Sequence, residues 1–375
     1  MFLLEPTKVL LPLTDCCNLR CKYCYQPKNE YIFMSKEIAK KTLDMLFKDI
    51  EEIGIRTLNI FGGEPTLNKE ILEYIIDYYI SYRSRFKYLL KFQINTNLQL
   101  MDSDIIRIFK KYHEKAETDF VISIDGVKEI NDKYRVGVNK TNTYDNVIKN
   151  VNTLRKEFKN IHLSSCSVLT EEHTNDYELL KKSVIFLYNT FDTCTITPLL
   201  PGTFKGSLNI ENIIKLFKEL NGESDNKLKV MFRNFVPEGG VDDIKLGNIE
   251  MCRAGDSLMM INTDGYIYPC DLYLAAENPK NFALCNIKDI EEFPIKIDKN
   301  NKWIKYQRFN EKYYLGYTDL QNEKGEKCNK CEFSDVCSPC IAYNELHNDV
   351  YTMKQDMCDK NKTKFETAIK ILGES

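Results

Sequence analysis

Four cysteines lie within nine residues near the N-terminus, in the stretch LPLTDCCNLRCKYCYQP that begins at residue 11. Two spacings are open: Cys17, Cys21 and Cys24 form C-x3-C-x2-C, whereas Cys16 in place of Cys17 gives C-x4-C-x2-C. A closed zinc site takes four ligands, and no histidine or further cysteine follows closely enough to be the fourth. Three thiolates suit a [4Fe–4S] cluster better, because one iron then stays open to a substrate or cofactor.

Most of the other cysteines lie in the C-terminal third of the chain. The sequence has 14 cysteines, and structural disulfides are rare in a reducing compartment, so clustered thiols indicate metal or redox chemistry. Eight of them lie between positions 252 and 358: Cys252, Cys270, Cys285, Cys328, Cys331, Cys337, Cys340 and Cys358. Only Cys166 and Cys194 stand alone, on apolar segments where we expect them to pack in the core.

The composition is that of a globular protein without a nucleic-acid or membrane partner. The 375 residues are 43% apolar and 29% charged, with a net charge of -3. This balance predicts no basic surface for a nucleic acid, and no window approaches the run of about 18 apolar residues that a membrane-spanning helix needs. The N-terminus lacks the basic segment of a signal peptide, so we expect a cytoplasmic protein.

Short apolar segments alternate with longer amphipathic ones through roughly the first 220 residues. The predicted strands are 8–14, 56–61, 89–95, 120–125, 162–169 and 193–200, and the predicted helices are 35–53, 68–85, 102–116, 143–157, 174–190 and 209–221. Strand–helix alternation repeated in this way predicts an α/β fold with a parallel sheet, either an open partial barrel or a doubly wound sheet. In both architectures, functional residues gather at the carboxyl ends of the strands.

Sequence motifs follow the predicted strands at those ends. The segment with the four cysteines (16–24), which we call the cysteine loop, follows the first strand. GGEP (62–65) follows the second strand, NTN (95–97) the third and SIDG (123–126) the fourth. Beyond residue 230 turns and cysteines replace the alternation, and Asp264-Gly265 in MMINTDGYIYPCDLY (259–273) predicts a β-hairpin. We therefore expect a first domain at 1–230 and a second, cysteine-rich domain at 231–375 that is stabilised by metal clusters.

CNLRCKYCY (17–25) resembles the cluster loop of the radical S-adenosylmethionine (SAM) superfamily, and GGEP resembles its second motif. The resemblance implies a partial (β/α)6 barrel in which Cys17, Cys21 and Cys24 hold a [4Fe–4S] cluster and SAM chelates the fourth iron. It also implies cleavage of SAM to a 5′-deoxyadenosyl radical that abstracts hydrogen from a substrate. The plant-type ferredoxin spacing C-x4-C-x2-C is the competing interpretation, but it explains neither GGEP nor the six βα units.

The resemblance implies a set of SAM contacts spread over the ends of the strands. The expected contacts are Tyr23 on adenine, Gly62, Gly63 and Glu64 at the methionyl amine, Ser123 and Arg135 at the ribose or carboxylate, Asn95, and Leu199 near adenine. Without the resemblance, Ser123 and Asp125 are equally well explained as caps of the following segment, and Arg135 as a surface charge.

The C-terminal cysteines resemble the SPASM domain, an auxiliary-cluster extension of radical SAM enzymes that modify peptides and proteins. The implied ligands are Cys328, Cys331, Cys337 and Cys358 for one auxiliary [4Fe–4S] cluster, and Cys252, Cys270 and Cys340 for the other. We assign the eighth thiolate to Cys285, and an open iron is the alternative. CSPC (337–340) has two residues between its cysteines where the family has three. A zinc knuckle at 328–340 would leave the remaining cysteines of the series unexplained.

YPCDLY (268–273) resembles the PCDFY stretch of anaerobic sulfatase-maturing enzymes, in which the aspartate deprotonates the substrate cysteine or serine. The resemblance therefore implies that Asp271 is a catalytic base. A turn-capping aspartate is the alternative explanation of the same residue.

Three functions are open at this point. The resemblance favours an enzyme that forms a thioether or other crosslink in a ribosomally made peptide, with SAM, three [4Fe–4S] clusters and an electron donor such as flavodoxin or ferredoxin. Oxidation of a sulfatase cysteine or serine to formylglycine is the alternative, favoured by CDLY and disfavoured by the lack of a further cysteine shortly after Cys252. A multi-cluster electron carrier without catalysis is the third.

Overall fold

The computed structural model describes most of the first 235 residues and several shorter segments beyond them. The described residues are 2–4, 7–26, 32–48, 55–198, 208–222, 225–233, 235, 254, 258–290, 295–297, 330–331, 340–346, 358–359, 362, 366 and 370. Four residues that the sequence assigned to cofactors lie outside this set: Leu199, Cys252, Cys328 and Cys337.

A nine-stranded sheet organises the described residues, in the order β10-β9-β8-β2-β3-β4-β5-β6-β7. Its strands are β2 (Lys8–Pro12), β3 (Thr57–Phe61), β4 (Lys91–Thr96), β5 (Glu117–Ser123), β6 (Leu163–Leu169), β7 (Thr193–Pro198), β8 (Leu258–Ile261), β9 (Tyr266–Tyr268) and β10 (Cys285–Asn286). A separate antiparallel pair joins β1 (Phe2–Leu4) to β11 (Ile295–Ile297).

Strands β2 to β7 are parallel and lie side by side in chain order. A doubly wound sheet would reverse its strand order at a switch point, and the described strands show no such reversal. Because β10 and β7 are the edges of the described sheet, the fold is an open, partial barrel. The prediction of a partial (β/α)6 barrel is confirmed.

Each of the six parallel strands is followed by one or more helices. The helices are α1 (Lys36–Lys48), α2 (Lys69–Tyr82), α3 (Ser103–Lys115), α4 (Lys128–Tyr134), α5 (Tyr144–Glu157), α6 (Glu171–Asn175), α7 (Tyr177–Thr190), α8 (Ile210–Glu219), α9 (Asn226–Met231) and α10 (Ile341–Leu346). Helix α3 illustrates why these segments form helices that cover the sheet. Its apolar residues recur at helical spacing and are all buried: Ile105, Ile108, Phe109 and Tyr112. None of the described helices is both long and apolar enough to cross a membrane.

The two faces of the sheet pack differently. Leu58 and Ile60 on β3 belong to the large apolar core that the helices complete. Leu10 and Phe61 belong instead to a second apolar cluster, which we call the inner cluster and which also includes Tyr268. Side chains alternate between the faces of a strand, so the inner cluster and the residues in phase with it lie on the concave side of the barrel.

Three described strands of the C-terminal region, β8 to β10, extend the barrel sheet. Strand β8 pairs in parallel with β2, from Lys8↔Leu258 to Leu10↔Met260. Strands β8 and β9 form the predicted hairpin, and Gly265 in its turn has φ +84°, a conformation that favours glycine. The hairpin prediction is confirmed, and the domain boundary between 230 and 231 stays a prediction.

His173 is buried at the carboxyl end of β6 as a neutral ring. Thr170 N donates to His173 Nδ1 at 3.2 Å, so the proton is on Nε2, which donates to the Asp125 carbonyl oxygen at 2.7 Å. Burial lowers the pKa of His173 below its usual value of 6.5, although Asp125 and Glu172 act in the opposite direction.

We expect His173 to make the protein less stable in mild acid. The unfolded chain binds a proton on this ring below pH 6.5, whereas the folded state keeps it neutral, so its contribution is complete above pH 6.5 and is lost as the pH falls. Urea unfolding at about pH 7.5 and about pH 5.5 should show a smaller loss in His173→Gln than in the wild type. Equal losses in the two proteins would contradict the assignment.

Candidate active site

The backbone of GGEP lies directly against the cysteine loop. Gly63 N donates to Thr14 O and Glu64 N donates to Cys16 O, each at 2.8 Å. A Cβ on Gly62 would fall far inside contact distance of Thr14 O, and one on Gly63 would do the same to Cys16 O. Gly62 also has φ +131°, which residues with side chains rarely adopt. Both glycines are therefore required by the close approach of the two loops.

Glu64 ties the end of β3 to the end of β4. Its side chain is 1% exposed, and Oε1 accepts from Thr66 N at 3.2 Å and from the hydroxyls of Thr66 and Thr96 at 2.7 Å each. Oε2 accepts from Asn97 N at 2.7 Å. Burial raises the pKa of Glu64, although these hydrogen bonds favour its charged form. The carboxylate thus holds two strand ends together, and its contact with the methionyl amine stays a prediction.

Asn97 contacts the cysteine loop and was not among the predicted site residues. Its Nδ2 donates to Asn18 Oδ1 at 2.7 Å and lies 3.7 Å from Cys17 Sγ. The NTN motif contains both asparagines, but only Asn95 was predicted as a site residue. Asn95 lies in β4 with its Oδ1 buried and without a partner among the described residues.

The cysteine loop is also held from the side of β5. Arg20 N donates to Val136 O at 2.6 Å and Lys22 N donates to Tyr134 O at 3.0 Å. Together with the bridge between Leu19 and Gly137, these bonds hold the backbone on both sides of Cys21.

The thiol of Cys17 suits a cationic partner. Burial, the Glu64 carboxylate, and the neighbouring Cys21 and Cys24 raise the pKa of Cys17 to about 12. A thiolate here is therefore unfavourable unless a positive charge such as iron compensates it. Among the described residues, no three Cys, His, Asp or Glu side chains converge on a single ion. A [4Fe–4S] cluster does not need convergence, because each iron takes its own thiolate.

Asp125 is fully buried, and its carboxylate accepts hydrogen bonds from three parts of the site. Its Oδ1 accepts from Arg135 NH2 at 2.9 Å and from Val168 N at 2.9 Å, and its Oδ2 accepts from the Tyr23 hydroxyl. Helix α4 has no side-chain cap, so the explanation of Asp125 as a capping residue is wrong. The side chain instead joins the cysteine loop to β6.

Arg135 is buried beside the cysteine loop, with 7% of its surface exposed, so the explanation of it as a surface charge is wrong. Burial acts to lower its pKa, but Asp125, Tyr23 and Cys21 hold the pKa well above its usual value. Its Nε is buried and has no partner within the described part of the chain. A buried, unpartnered N–H donor of a permanent cation fits the carboxylate of a methionyl group.

The ring of Tyr23 packs inside the site. It stacks on Tyr134 with 6.2 Å between ring centroids, and the Arg135 guanidinium lies 5.5 Å from its centroid. Ser123 ends β5 beside Cys166 of β6 with a half-buried side chain. The structure thus gathers Tyr23 and Arg135 around Asp125, while the contacts of Tyr23 and Ser123 with SAM stay predictions.

Asp271 lies against the other side of the cysteine loop. The hydroxyl of Tyr25, the residue after Cys24, donates to Asp271 Oδ2. Asp271 follows Cys270, which is buried in the inner cluster. Tyr25 was not predicted as a site residue, although its position directly after the last cysteine of the loop was the available signal.

The C-terminal cysteines fall into different surroundings. The eleven described cysteines are in the thiol form, with no disulfide among them. Cys340 packs against the inner cluster together with Cys270. Cys285 pairs with Ile267 and packs against the large core, which lies on the other face. Burial and Asp289 raise the pKa of Cys285 to about 11.

Comparison with known proteins identifies the fold and its family. Residues 11–182 match the Radical SAM superfamily. The chain is 25% identical over 390 residues to the cysteine-type anaerobic sulfatase-maturating enzyme of Clostridium novyi (strain NT), which covers 97% of this chain and 95% of that protein. It is 26% identical over 368 residues to the antilisterial bacteriocin subtilosin biosynthesis protein AlbA of Bacillus subtilis (strain 168). This match covers 92% of this chain and 73% of that protein.

Among solved structures, the chain is similar to native anSMEcpe with bound AdoMet and Cp18Cys peptide. The TM-score is 0.70 at 20% sequence identity, and the match covers 98% of both chains. At this identity the likeness shows the fold.

An open (β/α)6 barrel with three cysteines after its first parallel strand and a glycine pair after its second defines a SAM-cleaving iron–sulfur enzyme. Residues 11–182 are a radical SAM domain. SAM and one [4Fe–4S] cluster are accordingly its cofactors.

Replacing Gly63 by Ala should prevent stable binding of the SAM cluster. The added Cβ meets backbone that cannot turn aside, and overpacking of this kind costs about 1–3 kcal/mol. We expect a large loss of iron and visible absorbance after anaerobic reconstitution. Gly222→Ala is the control, because its Cβ meets the Phe217 ring instead of the cysteine loop. Equal iron content in both variants would contradict the role of Gly63.

The register of the cysteine loop can be tested by two neighbouring substitutions. Cys17→Ala should lose the SAM cluster, whereas Cys16→Ala should keep it, because the hydrogen bond from Glu64 N is accepted by the Cys16 backbone carbonyl, which alanine retains. Iron content and the electron paramagnetic resonance signal of the reduced cluster would distinguish the variants. The opposite result would establish the C-x4-C-x2-C register.

Proposed function

We propose that the chain is a radical SAM/SPASM enzyme that forms a thioether or other crosslink in a ribosomally made peptide. The observation that carries the proposal is the hydrogen bond between Tyr25, beside the cysteine loop, and Asp271, beside Cys270. The contact brings Cys270 close to the cysteine loop, which supports a substrate position inside the barrel that adjoins both. The names of the relatives add support, because one belongs to bacteriocin biosynthesis and one similar structure contains AdoMet and a peptide.

In this proposal Cys17, Cys21 and Cys24 hold the SAM cluster. When bound, the cluster and SAM supply a 5′-deoxyadenosyl radical that abstracts a hydrogen atom from the substrate. The backbone of Gly62 and Gly63 lines the position of the methionyl group, with Glu64 keeping that turn in place.

The remaining SAM contacts are assigned around Asp125. Arg135 Nε donates to the methionyl carboxylate, and the buried charge of Asp125 keeps the guanidinium oriented for it. Tyr23 lies next to adenine. Three further contacts complete the assignment: Asn95, Ser123 and Leu199.

The C-terminal cysteines are assigned to two auxiliary [4Fe–4S] clusters. One takes Cys252, Cys270 and Cys340, and the shared packing of Cys270 and Cys340 on the inner cluster supports this pairing. The position of Cys285 on the opposite face favours an open iron over a fourth thiolate in that cluster. The other cluster takes four cysteines: Cys328, Cys331, Cys337 and Cys358.

Asp271 is assigned as the base that accepts a proton from the substrate. The Tyr25 hydroxyl donates to it and so fixes the orientation of the carboxylate, which leaves the second oxygen for the substrate. An electron donor such as flavodoxin or ferredoxin would reduce the SAM cluster.

Oxidation of a sulfatase cysteine or serine to formylglycine is the second candidate. It is favoured by the CDLY stretch and by the relative from Clostridium novyi, whose match extends over nearly the whole chain. The same site serves both reactions, because each begins with hydrogen abstraction and loss of a proton from the substrate.

The first test is reductive cleavage of SAM. The anaerobically reconstituted protein should hold about 12 iron atoms per chain, as three [4Fe–4S] clusters require. It should release 5′-deoxyadenosine when reduced. Failure to cleave SAM would leave only the electron-carrier function, and about four iron atoms together with zinc would remove the auxiliary clusters.

A panel of synthetic peptides then separates the two candidate reactions. Cysteine-containing precursor peptides should lose two hydrogen atoms per crosslink, which mass spectrometry detects as a loss of about 2 Da. A peptide with a sulfatase modification site should instead gain an aldehyde in the second candidate. Modification of neither class would contradict the proposed function.

Tyr25→Phe should slow peptide modification while the SAM cluster is retained. The Asp271 carboxylate loses its donor and its fixed orientation, for which we expect roughly a tenfold lower kcat. Asp271→Asn should lower kcat by about 10²-fold or more, because the base itself is gone. Tyr88→Phe is the control, since its hydroxyl donates only to the Ile55 carbonyl. Unchanged turnover in Asp271→Asn would remove it as the base.

A further inference from the structure

A row of polar side chains crosses the concave face of the barrel, where a packed barrel would have branched apolar residues. Asn59 on β3, Gln93 on β4 and Asp119 on β5 are register partners, and Ser164 on β6 continues the row. We call these four residues the amide row. They are in phase with Leu10 and Phe61 of the inner cluster and out of phase with the large core.

Hydrogen bonds join the members of the amide row. Asn59 Nδ2 donates to Gln93 Oε1 at 3.3 Å, and Gln93 Nε2 donates to Asp119 Oδ2 at 3.4 Å. The Ser164 hydroxyl donates to Asp119 Oδ1 at 2.5 Å. The row is therefore a continuous chain of donors and acceptors across four strands.

The Asp119 carboxylate sets the orientation of the two side-chain amides in the row. A carboxylate only accepts, so Gln93 must turn its NH2 toward Asp119 and its oxygen toward Asn59. Asn59 must then turn its NH2 toward Gln93, which leaves its Oδ1 facing away from the row. The amide orientations are thus dictated by the network and need no separate assignment.

Asn59 Oδ1 is a buried acceptor without a partner. The residue is 8% exposed, and no hydrogen bond reaches this oxygen from the described residues. An unsatisfied buried carbonyl oxygen costs about 1–3 kcal/mol, so a site that keeps one is ready for an external donor. Asn95 Oδ1, one layer nearer the carboxyl end of β4, is also unpartnered, so free acceptors continue toward the SAM site.

Charges of both signs already lie around the row. Lys8 and Lys91 start β2 and β4 on the same face as Leu10 and Gln93, two residues before them. Burial and the charges of Arg233 and Lys91 lower the pKa of Lys8, whereas the carboxylates of Asp271 and Asp119 act in the opposite direction. The group left without a partner is the neutral carbonyl oxygen of Asn59, which suits an uncharged N–H donor.

We propose that Asn59 Oδ1 binds a neutral amide N–H of the peptide substrate, and that the amide row positions this acceptor. The proposal rests on the proposed function for the identity of the substrate as a peptide. Asn59 is a binding residue in it, and Gln93 and Asp119 are positioning residues. We expect the amide row to affect the affinity for the substrate and the preference for a ligand that donates a hydrogen bond over one that only accepts.

A minimal amide tests the site without knowledge of the substrate. Crystals of the anaerobically prepared holoenzyme should be soaked with N-methylacetamide, which has one N–H, or with N,N-dimethylacetamide, which has none. We expect N-methylacetamide with its nitrogen at hydrogen-bond distance from Asn59 Oδ1, and no N,N-dimethylacetamide there. Absence of N-methylacetamide from the row, or equal occupancy by both compounds, would overturn the proposal.

Asp119→Asn tests the positioning role. Without the carboxylate the amides can turn over, so Asn59 can present NH2 instead of oxygen. The variant should bind N,N-dimethylacetamide through its carbonyl and lose the preference for N-methylacetamide. An unchanged preference would show that Asp119 does not set the direction of the row.

Kinetics with a modified peptide provide the second measurement. Asn59→Leu should raise KM roughly tenfold with little change in kcat, the size expected for one lost hydrogen bond. Thr42→Val is the matched control: Thr42 Oγ1 is also buried and unpartnered but lies on α1, and its loss should leave KM unchanged. A change confined to kcat, or an equal effect of Thr42→Val, would contradict the proposal. If no peptide is modified, the proposed function fails, while the soaking experiment still decides the amide row.

Discussion

Two backbone hydrogen bonds between the cysteine loop and GGEP hold the site together, and the rest of the carboxyl end of the barrel is arranged around them. Residues 14–16 and 62–64 approach so closely that only hydrogen atoms fit at the two glycines. The Glu64 carboxylate points from this contact into the protein, where it accepts hydrogen bonds from Thr96 and Asn97 at the end of β4. Asn97 then reaches back to Asn18 and Cys17. The cysteine loop is therefore positioned by backbone and carboxylate, before any cofactor is considered.

Asp125 joins the cysteine loop to β6 on the β5 side of the site, as Glu64 joins the ends of β3 and β4 on the other side. A fully buried carboxylate is tolerated because Arg135, Tyr23 and a backbone N–H all satisfy it. Removing a single partner would leave a buried charge uncompensated, so the group is rigid. This rigidity orients the cation that we assign to the SAM carboxylate and leaves one of its donors free.

The concave face of the sheet combines an apolar half and a polar half. The inner cluster covers the β2–β8–β9 side and receives Cys270 and Cys340, whereas the amide row crosses β3 to β6. A polar interior does not contribute to a packed core, so its retention fits a chamber that holds substrate. Tyr25 and Asp271 connect the apolar half to the cysteine loop, which brings both halves to the same reaction centre.

Much of the fold and the position of the site could be predicted from local pattern. Periodicity determined the six strands and one helix after each of them to within a few residues, because alternation and helical spacing are properties of neighbouring residues, but it did not predict α4 or α9. The cysteine loop and GGEP could be placed at strand ends for the same reason. Long-range partners were beyond this reasoning: Asn97 was passed over for Asn95, Asp125 was equally explained as a cap, and Tyr25 was not singled out. Each acts through a residue distant in sequence, and only the parallel register of the sheet decides which side chains meet. The same limit applies to Cys285, whose spacing suggested a ligand while the pleat of β10 turned it to the other face. The sequence thus determined which chemistry is available, and the tertiary structure decided which residues share it.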